Sequence, residues 1–362
     1  MKDRIITIAF LIIIFVFPIG TIFKNCLGDS SGAANEKERL ALEANGTIID
    51  GKTVRAAAPK EQEVHGFQKV LGVMSNFTKD MIFKDYMVTA NAELTYAFSF
   101  GEYVESTQVL LGKDDYLFFK AKGDGDSIAD YKGTNLFTNE QLLAITGNLV
   151  NIRDAMYARG IEFYALAIPN KEIVYAEYMP DIIYRDSDFT RGQQLYEFVT
   201  GNTDIKMLYP LEALRAAKED YQVYYKGDTH ENQIGAFIVF GELYYDMYGC
   251  RQPIEEAKFN VAATNHTGDL GILVNLKDKQ GLDTVYAFEQ TDNSYYRDET
   301  IMFIGDSFSG FLSNVAERYY REVYRVDTAS FTMEMLDEYN PDIVVFETAE
   351  RKLEVLGSSM ND

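Results

Sequence analysis

The sequence predicts an α/β protein with a central, mostly parallel sheet. Short apolar segments alternate with segments whose apolar residues recur every three or four positions, as strands and helices alternate in such folds. Polar residues directly follow several apolar segments, as at the PNK turn after Ile168 and the GDS turn after Ile304. Because parallel strands end at one edge of their sheet, we expect a functional site at that edge.

The composition indicates a globular protein and excludes several classes. Of 362 residues, 47% are hydrophobic, which is enough for a large core. The 56 acidic residues outnumber 34 basic ones, giving a net charge of -22. Phosphate binding needs a basic surface, so we expect no nucleic-acid partner. The two cysteines form one disulfide at most, and no Cys/His cluster predicts a metal or cofactor.

The N-terminus contains a candidate membrane anchor. Residues from Ile5 to Phe23 are almost continuously apolar, with Lys2 and Arg4 before them and Lys24 after. A helix of this length can cross a bilayer. We therefore predict an uncleaved signal anchor over 1–25, with a cleaved signal peptide as the alternative.

The remainder divides into a linker and one folded domain. Residues 26–66 are polar and rich in small side chains, which is typical of a flexible tether. We predict the folded domain over 67–362, with a less regular insertion at about 250–298. A lone N-terminal anchor usually delivers its domain across the membrane, so we expect this domain on the extracytoplasmic face of the cell membrane.

The folded domain starts with helical spacing and then follows the α/β order. Thr138 and Gln141 form a capping box, and Gly160 supplies the stop of the same helix. The predicted elements, in order, are amphipathic helices in 67–100, a hairpin at 109–119, helix 138–159, strand 161–168, helix 193–199, strand 204–208, helix 211–218, a strand leading into 228–230, a helix ending near 247, strand 301–304, helix 311–319, strand 322–326, helix 333–339 and strand 342–346.

Three polar residues on this framework suggest nucleophilic catalysis. Asp228 and His230 lie two positions apart, so in an extended segment both side chains would share one face. Ser307 follows 77 residues later, in a glycine-containing turn between a strand and a helix. Serine needs a positioned base and donors for the oxyanion, and a carboxylate can orient that base. The alternative is that both motifs merely cap helices.

At these residues the sequence resembles a known group. The GDS serine and the D-x-H pair resemble the SGNH hydrolase superfamily, whose fold is a three-layer α/β/α sandwich. The wider pattern, over most of 67–355, is similar to its membrane-associated branch of alginate O-acetylation proteins and DHHW-type proteins. The shared segments are VLLGKDDYLFF, AIPNKEIVYAEYMP, YYKGDTHENQIGA, HTGDL and IVVFETAERKL. This branch places D-x-H ahead of the serine, as here.

The resemblance implies transfer of an acyl group, usually acetyl, to an extracytoplasmic polysaccharide. It assigns Ser307 as nucleophile, His230 as base and Asp228 as the orienting acid. Lys171 matches a recurrent basic position, for which we predict a substrate-binding role, with a strand-end contact or salt bridge as alternatives. In this branch a multi-pass membrane-bound O-acyltransferase often supplies the acyl group.

The sequence departs from the family pattern at two positions, and two other functions compete with acyl transfer. Many relatives have Trp where this chain has Glu231 and Tyr116, so the resemblance does not carry their acceptor preference. His266 lacks surrounding ligands, and we expect a structural or substrate-side role for it. No side-chain oxyanion donor is identifiable. An esterase would use the same triad, and a polysaccharide-binding scaffold would use none.

Overall fold

The computed structural model describes residues 106–357 except 265, 276–282 and 290–292, together with Thr47–Ile49, Lys52–Val54 and residues 90 and 92. The chain divides into two units, Met1–Asp80 and Met81–Asp362. In the first unit, β1 (Thr47–Ile49) pairs antiparallel with β2 (Lys52–Val54). The predicted anchor and most of the helical region in 67–100 lie outside the described residues. None of the described helices is sufficiently long and apolar to span a bilayer.

A five-stranded parallel sheet forms the centre of the second unit. Its strands are β5 (Glu162–Ile168), β6 (Lys206–Leu208), β9 (Arg297–Gly305), β10 (Tyr320–Asp327) and β11 (Ile343–Ala349). Their order in the sheet is β10-β9-β11-β5-β6. All four pairings are parallel. The predicted α/β class with a parallel sheet is therefore confirmed.

Helices cover both faces of this sheet. They are α1 (Ser127–Lys132), α2 (Asn139–Tyr157), α3 (Lys171–Val174), α4 (Arg191–Asn202), α5 (Leu211–Ala217), α6 (Gln233–Tyr248), α7 (Asp269–Leu273), α8 (Ser309–Ala316) and α9 (Glu334–Tyr339). Alternate β5 residues enter different cores: Tyr164 and Leu166 pack with residues of α5, α6 and α8, whereas Phe163 and Ala165 pack with residues of α2, α4 and α9. This is the expected three-layer α/β/α arrangement.

Local sequence signals set several element boundaries. The Thr138 hydroxyl accepts a hydrogen bond from the Gln141 N–H, and the Gln141 side chain accepts from the Thr138 N–H, so the predicted capping box is present at α2. Gly160 has φ of 76° in the turn before β5, a left-handed conformation that glycine adopts without strain. β3 (Val109–Leu111) and β4 (Leu117–Phe119) form the predicted hairpin. Within the predicted insertion, β7 (Lys258–Ala263) pairs antiparallel with β8 (Val285–Glu289), apart from the central sheet.

The segment containing Asp228 and His230 is a loop, which corrects the prediction of a strand. Tyr224 and Glu231 form an isolated antiparallel bridge that closes the loop. Inside it, an Asp228 carboxylate oxygen accepts a hydrogen bond from the His230 N–H at 3.0 Å. Asp favours turns because its side chain can bond the backbone two residues on, and here that local bond prevails over strand pairing. We call residues 225–230 the triad loop.

Candidate active site

Ser307 lies in the turn between β9 and α8, at the carboxyl edge of the central sheet. Its side chain is exposed, whereas the strand that precedes it is buried. Asp306 fixes this turn, since its two carboxylate oxygens accept from the Phe308 N–H at 2.9 Å and the Ala349 N–H at 3.0 Å. The second bond ties the turn to the end of the neighbouring strand β11. The serine hydroxyl is therefore presented to solvent from a restrained backbone.

The triad loop and this turn bring the three predicted side chains into one hydrogen-bonded chain. His230 Nε2 lies 2.6 Å from Ser307 Oγ, and His230 Nδ1 lies 2.7 Å from Asp228 Oδ1. An ionised Asp228 accepts from Nδ1–H, which leaves Nε2 to accept the serine proton. The His230 imidazole also packs against the Phe308 and Phe311 rings, whose centroids lie 4.6 and 5.5 Å from its own.

Asp228 is buried yet well supplied with donors. Its Oδ1 accepts from the His230 N–H and Nδ1, and its Oδ2 lies 3.0 Å from His266 Nε2 and 3.2 Å from the Asp269 N–H. Burial alone would raise the pKa of the Asp228 carboxyl, but the hydrogen bonds from His230 and His266 outweigh it and hold this pKa well below its usual range. Asp228 therefore remains ionised and able to orient His230.

Lys171, for which a substrate-binding role was predicted, lies beneath the triad loop and contacts its backbone. It is 2% exposed, and its Nζ donates to the carbonyl oxygens of Tyr225, Lys226 and Asp228 at 3.0, 3.0 and 2.6 Å. An ammonium has three donors, so all are used on the loop backbone. Burial lowers the pKa of Lys171 to about 8. The residue fixes the loop that carries Asp228 and His230.

A short loop that continues into the first residues of α7, residues 266–271, packs against the triad loop, and we call it the His266 loop. Asp269 Oδ1 accepts from the Thr229 N–H at 2.8 Å and Oδ2 from the Thr229 hydroxyl at 2.6 Å. The Gly271 N–H donates to the Gly227 carbonyl at 3.0 Å. A structural or substrate-side role was predicted for His266, but its contact with Asp228 was not. The HTGDL motif was the available signal, since it repeats the Asp, Thr, His and Gly residues of the first loop.

One group of side chains in the described ranges could hold a metal ion. Asp228, His230 and Asp269 place one ligand atom each within 4.8 Å of one another. However, all four carboxylate oxygens of Asp228 and Asp269 accept hydrogen bonds from protein donors. These bonds account for the cluster without an ion. We therefore assign the group to the hydrogen-bonded network.

The two positions that depart from the family pattern are both buried. Glu231 is 0% exposed, and burial raises the pKa of its carboxyl well above the usual range. Tyr116 is 5% exposed and stacks on Tyr178, with ring centroids 4.3 Å apart. Neither position offers a ring face to a sugar. Among the described residues, the rings beside His230 are those of Phe308 and Phe311.

Asn170, the strand-end amide nearest Lys171 in sequence, is occupied elsewhere. Its side-chain amide donates to Asp130 at 2.9 Å, and its side-chain oxygen accepts from the Arg351 N–H at 3.0 Å. Its backbone N–H donates to Glu350. These bonds join the ends of β5 and β11. Asn170 therefore supports the edge of the sheet.

Several solved structures are similar to this chain. Bacillus cereus PatB1 with a sulfonyl adduct matches at a TM-score of 0.50 and 12% identity, covering 70% of this chain and 97% of that chain. The O-acetyltransferase domain of Pseudomonas putida AlgJ matches at a TM-score of 0.48 and 19% identity, covering 68% and 92%. Pseudomonas aeruginosa AlgX matches at a TM-score of 0.45 and 18% identity, covering 69% of this chain and 65% of that chain. At these identities the PatB1 likeness concerns the fold alone.

Sequence comparison identifies the family more directly. A search of curated proteins gives no match. The model of the SGNH hydrolase-like domain of the acetyltransferase AlgX matches residues 109–330, which is more than half of the chain and includes all three residues of the hydrogen-bonded chain. This protein therefore belongs to the AlgX-type, SGNH hydrolase-like acetyltransferase family.

Proposed function

We propose that this protein is a serine O-acetyltransferase that modifies a cell-surface or secreted polysaccharide through a Ser307-His230-Asp228 triad. The observation that carries the proposal is the continuous hydrogen-bonded chain from an exposed Ser307 to a buried, ionised Asp228. Family membership supports acetyl as the transferred group. The relative named as an O-acetyltransferase domain, AlgJ, agrees with this class.

The first half-reaction forms an acyl-enzyme. His230 Nε2 takes the Ser307 proton while Oγ forms a bond to the acetyl carbonyl carbon. The tetrahedral oxyanion then collapses, the bond to the donor's leaving group breaks, and His230 returns its proton to that group. Asp228 stabilises the imidazolium between the two proton transfers.

A backbone donor is available for the oxyanion. Within the described ranges the Ser307 N–H has no hydrogen-bond acceptor. It lies just before α8, and the positive end of the helix dipole adds a favourable field for negative charge there. Such a donor is most effective when it is already fixed, as Asp306 fixes this turn.

The second half-reaction replaces water with a sugar hydroxyl. That hydroxyl gives its proton to His230 and its oxygen attacks the acetyl carbon, after which the bond to Ser307 Oγ breaks and Oγ regains the proton. A cleft of about 330 Å³ beside the triad is lined by Tyr225, Tyr286, Phe311 and Asn314, among others. Aromatic faces with polar groups suit a sugar ring, so we place the acceptor there.

The membrane anchor and the extracytoplasmic position predicted from the sequence are also part of the proposal. An anchor over 1–25 and a tether over 26–66 would hold the domain, 67–362, at the extracytoplasmic face of the cell membrane. A multi-pass membrane-bound O-acyltransferase would deliver the acetyl group there. Protease treatment of intact cells tests the topology: the domain is degraded if it is outside and protected if it is not.

The purified full-length protein tests the chemistry with a chromogenic acetyl ester, with and without oligosaccharide. We expect faster turnover and acetylated sugar when oligosaccharide is present. Hydrolysis alone, with no acetylated sugar, would instead identify an esterase. Ser307→Ala should lower either rate by several orders of magnitude, and a serine-reactive fluorophosphonate should label Ser307. Unchanged turnover in Ser307→Ala and no labelling would leave a non-catalytic scaffold.

A further inference from the structure

We propose that His266 is a positioning residue of the same site: a second imidazole that binds the outer oxygen of Asp228 and fixes the carboxylate that orients His230. This inference deepens the proposed function and rests on it for its catalytic consequence. The essential observation is that Asp228 lies between two histidines, with His230 on Oδ1 at 2.7 Å and His266 on Oδ2 at 3.0 Å. A serine triad by itself uses one of these oxygens.

The His266 loop is built for this contact. Gly268 approaches the triad loop so closely that an added Cβ would lie 2.1 Å from the Gly227 carbonyl oxygen and 2.6 Å from the Asp228 Cβ. Asp269 adds two bonds to Thr229, and the Asp269 N–H joins His266 at Asp228 Oδ2. A residue with any side chain at 268 would separate the two loops. The contact between His266 and Asp228 therefore depends on a dedicated backbone approach.

The His266 ring is also held in place from its other side. Its centroid lies 4.2 Å from that of the buried Tyr225, and its backbone N–H donates to the Asp283 carbonyl at 3.2 Å. Asp283 in turn accepts from the Gly227 N–H at 3.1 Å. The imidazole thus packs on the triad loop with Nε2 directed at Asp228, while the backbone of His266 is bonded to the segment that precedes β8.

The surrounding charges favour a protonated His266. The hydrogen bond to Asp228 is the main cause that raises the pKa of His266, and the nearby carboxylates of Asp283 and Asp269 add to it, while partial burial opposes it. The Lys171 ammonium also lies close to Asp228, with Nζ 2.6 Å from the Asp228 carbonyl oxygen. A cation on Oδ2 keeps Asp228 ionised and prevents its carboxylate from rotating away from His230.

Two substitutions separate this role from simple packing. His266→Phe keeps a ring against Tyr225 but removes the donor, whereas His266→Gln keeps a donor N–H at similar reach. Ile272→Thr, at an exposed side chain in α7, is the matched control and should behave as wild type. For His266→Phe we expect kcat for the acetyl ester to fall by about 10- to 100-fold, the effect of losing one hydrogen bond to a charged group, with KM little changed. His266→Gln should recover most of this loss.

The pH–rate profile supplies a readout that a purely structural role would not move. Without the cation on Oδ2 the charge of Asp228 is uncompensated, so the base of the reaction is protonated more readily. The acid limb of the profile should therefore move to higher pH in His266→Phe and also in His266→Gln, because the neutral amide restores the hydrogen bond to Oδ2 but not the positive charge. An unchanged acid limb and unchanged kcat in a folded His266→Phe would overturn the proposal.

Nuclear magnetic resonance tests the His266–Asp228–His230 chain independently of turnover. The chain has three histidines, so ¹⁵N-histidine labelling gives few signals to assign. We expect His266→Phe to alter the ring-nitrogen signals of His230 and their dependence on pH. If these signals change but Ser307→Ala remains fully active, the proposed serine mechanism is wrong, whereas the coupling between His266 and His230 is confirmed. If the signals do not change although activity requires Ser307, the inference on His266 is wrong, whereas the proposed serine mechanism is retained.

Discussion

Lys171→Met removes the ammonium that holds the triad loop at three backbone carbonyls. Methionine has a similar length and can fill the same buried space, but it offers no hydrogen-bond donor. The carbonyls of Tyr225, Lys226 and Asp228 would then lose the partner that binds them at 2.6 to 3.0 Å. We expect the protein to be less stable and its triad to be less well positioned.

The magnitude follows from two opposing costs. A buried carbonyl without a donor costs about 1–3 kcal/mol, so three of them cost roughly 6 kcal/mol. Burial lowers the pKa of Lys171 from 10.5 to about 8, which corresponds to about 3 kcal/mol of charge burial that the variant no longer bears. The free energy of unfolding should therefore fall by about 3 kcal/mol.

Urea unfolding and steady-state kinetics measure the two effects of Lys171→Met. Displacement of Asp228 by about 1 Å is enough to lower kcat by roughly 100-fold, while KM for the oligosaccharide should change little. The control is Lys226→Met, because the partly exposed Lys226 ammonium makes one bond, to the Asp114 carbonyl in the turn between β3 and β4, and should contribute about 1 kcal/mol or less. Wild-type stability in Lys171→Met, with a raised KM for the sugar, would refute the loop-fixing role and restore direct substrate contact.

Three further perturbations test the site and its support. Asp228→Asn should lower kcat by about 10⁴-fold, because an amide cannot hold His230 in the useful tautomer as a carboxylate does; ester kinetics measure this, and a small change would argue against the triad. Burial raises the pKa of the Glu231 and Glu347 carboxyls well above 4.5. The unfolded chain then releases protons that the folded chain keeps, so these residues make the free energy of unfolding fall as pH rises above 4.5, and urea titrations of Glu347→Gln should show a weaker fall. Gly305→Ala would place a Cβ 2.3 Å from Glu347 Oε2 and 3.0 Å from its carbonyl oxygen, displacing the Ser307 turn. We expect about 100-fold lower kcat. The control is Gly310→Ala, whose Cβ would lie 3.7 Å from the Arg325 Nε and which should stay active.

The sequence by itself determined the layered fold and the residues of the candidate triad. Strand and helix periodicity, the Thr138 capping box and the Gly160 stop are local signals, because each depends on neighbours within a few positions. Ser307 was identifiable because a polar residue after a buried parallel strand must emerge at the sheet edge. The strand predicted to lead into Asp228 and His230 was wrong, because the local bond between the Asp228 carboxylate and the His230 N–H favours a turn there.

Tertiary structure decided the roles of Lys171 and His266. Lys171 reaches backbone carbonyls 54 to 57 residues away, and backbone carbonyls carry no side-chain signature that a sequence could display. His266 meets Asp228 across 38 residues because Gly268 lets two backbones touch. Chain folding sets which of several polar residues converge, and residue type sets what they can do once together. The residue types of the candidate triad could therefore be identified from the sequence. The residues that hold the triad in place could not, because they act through contacts between distant segments.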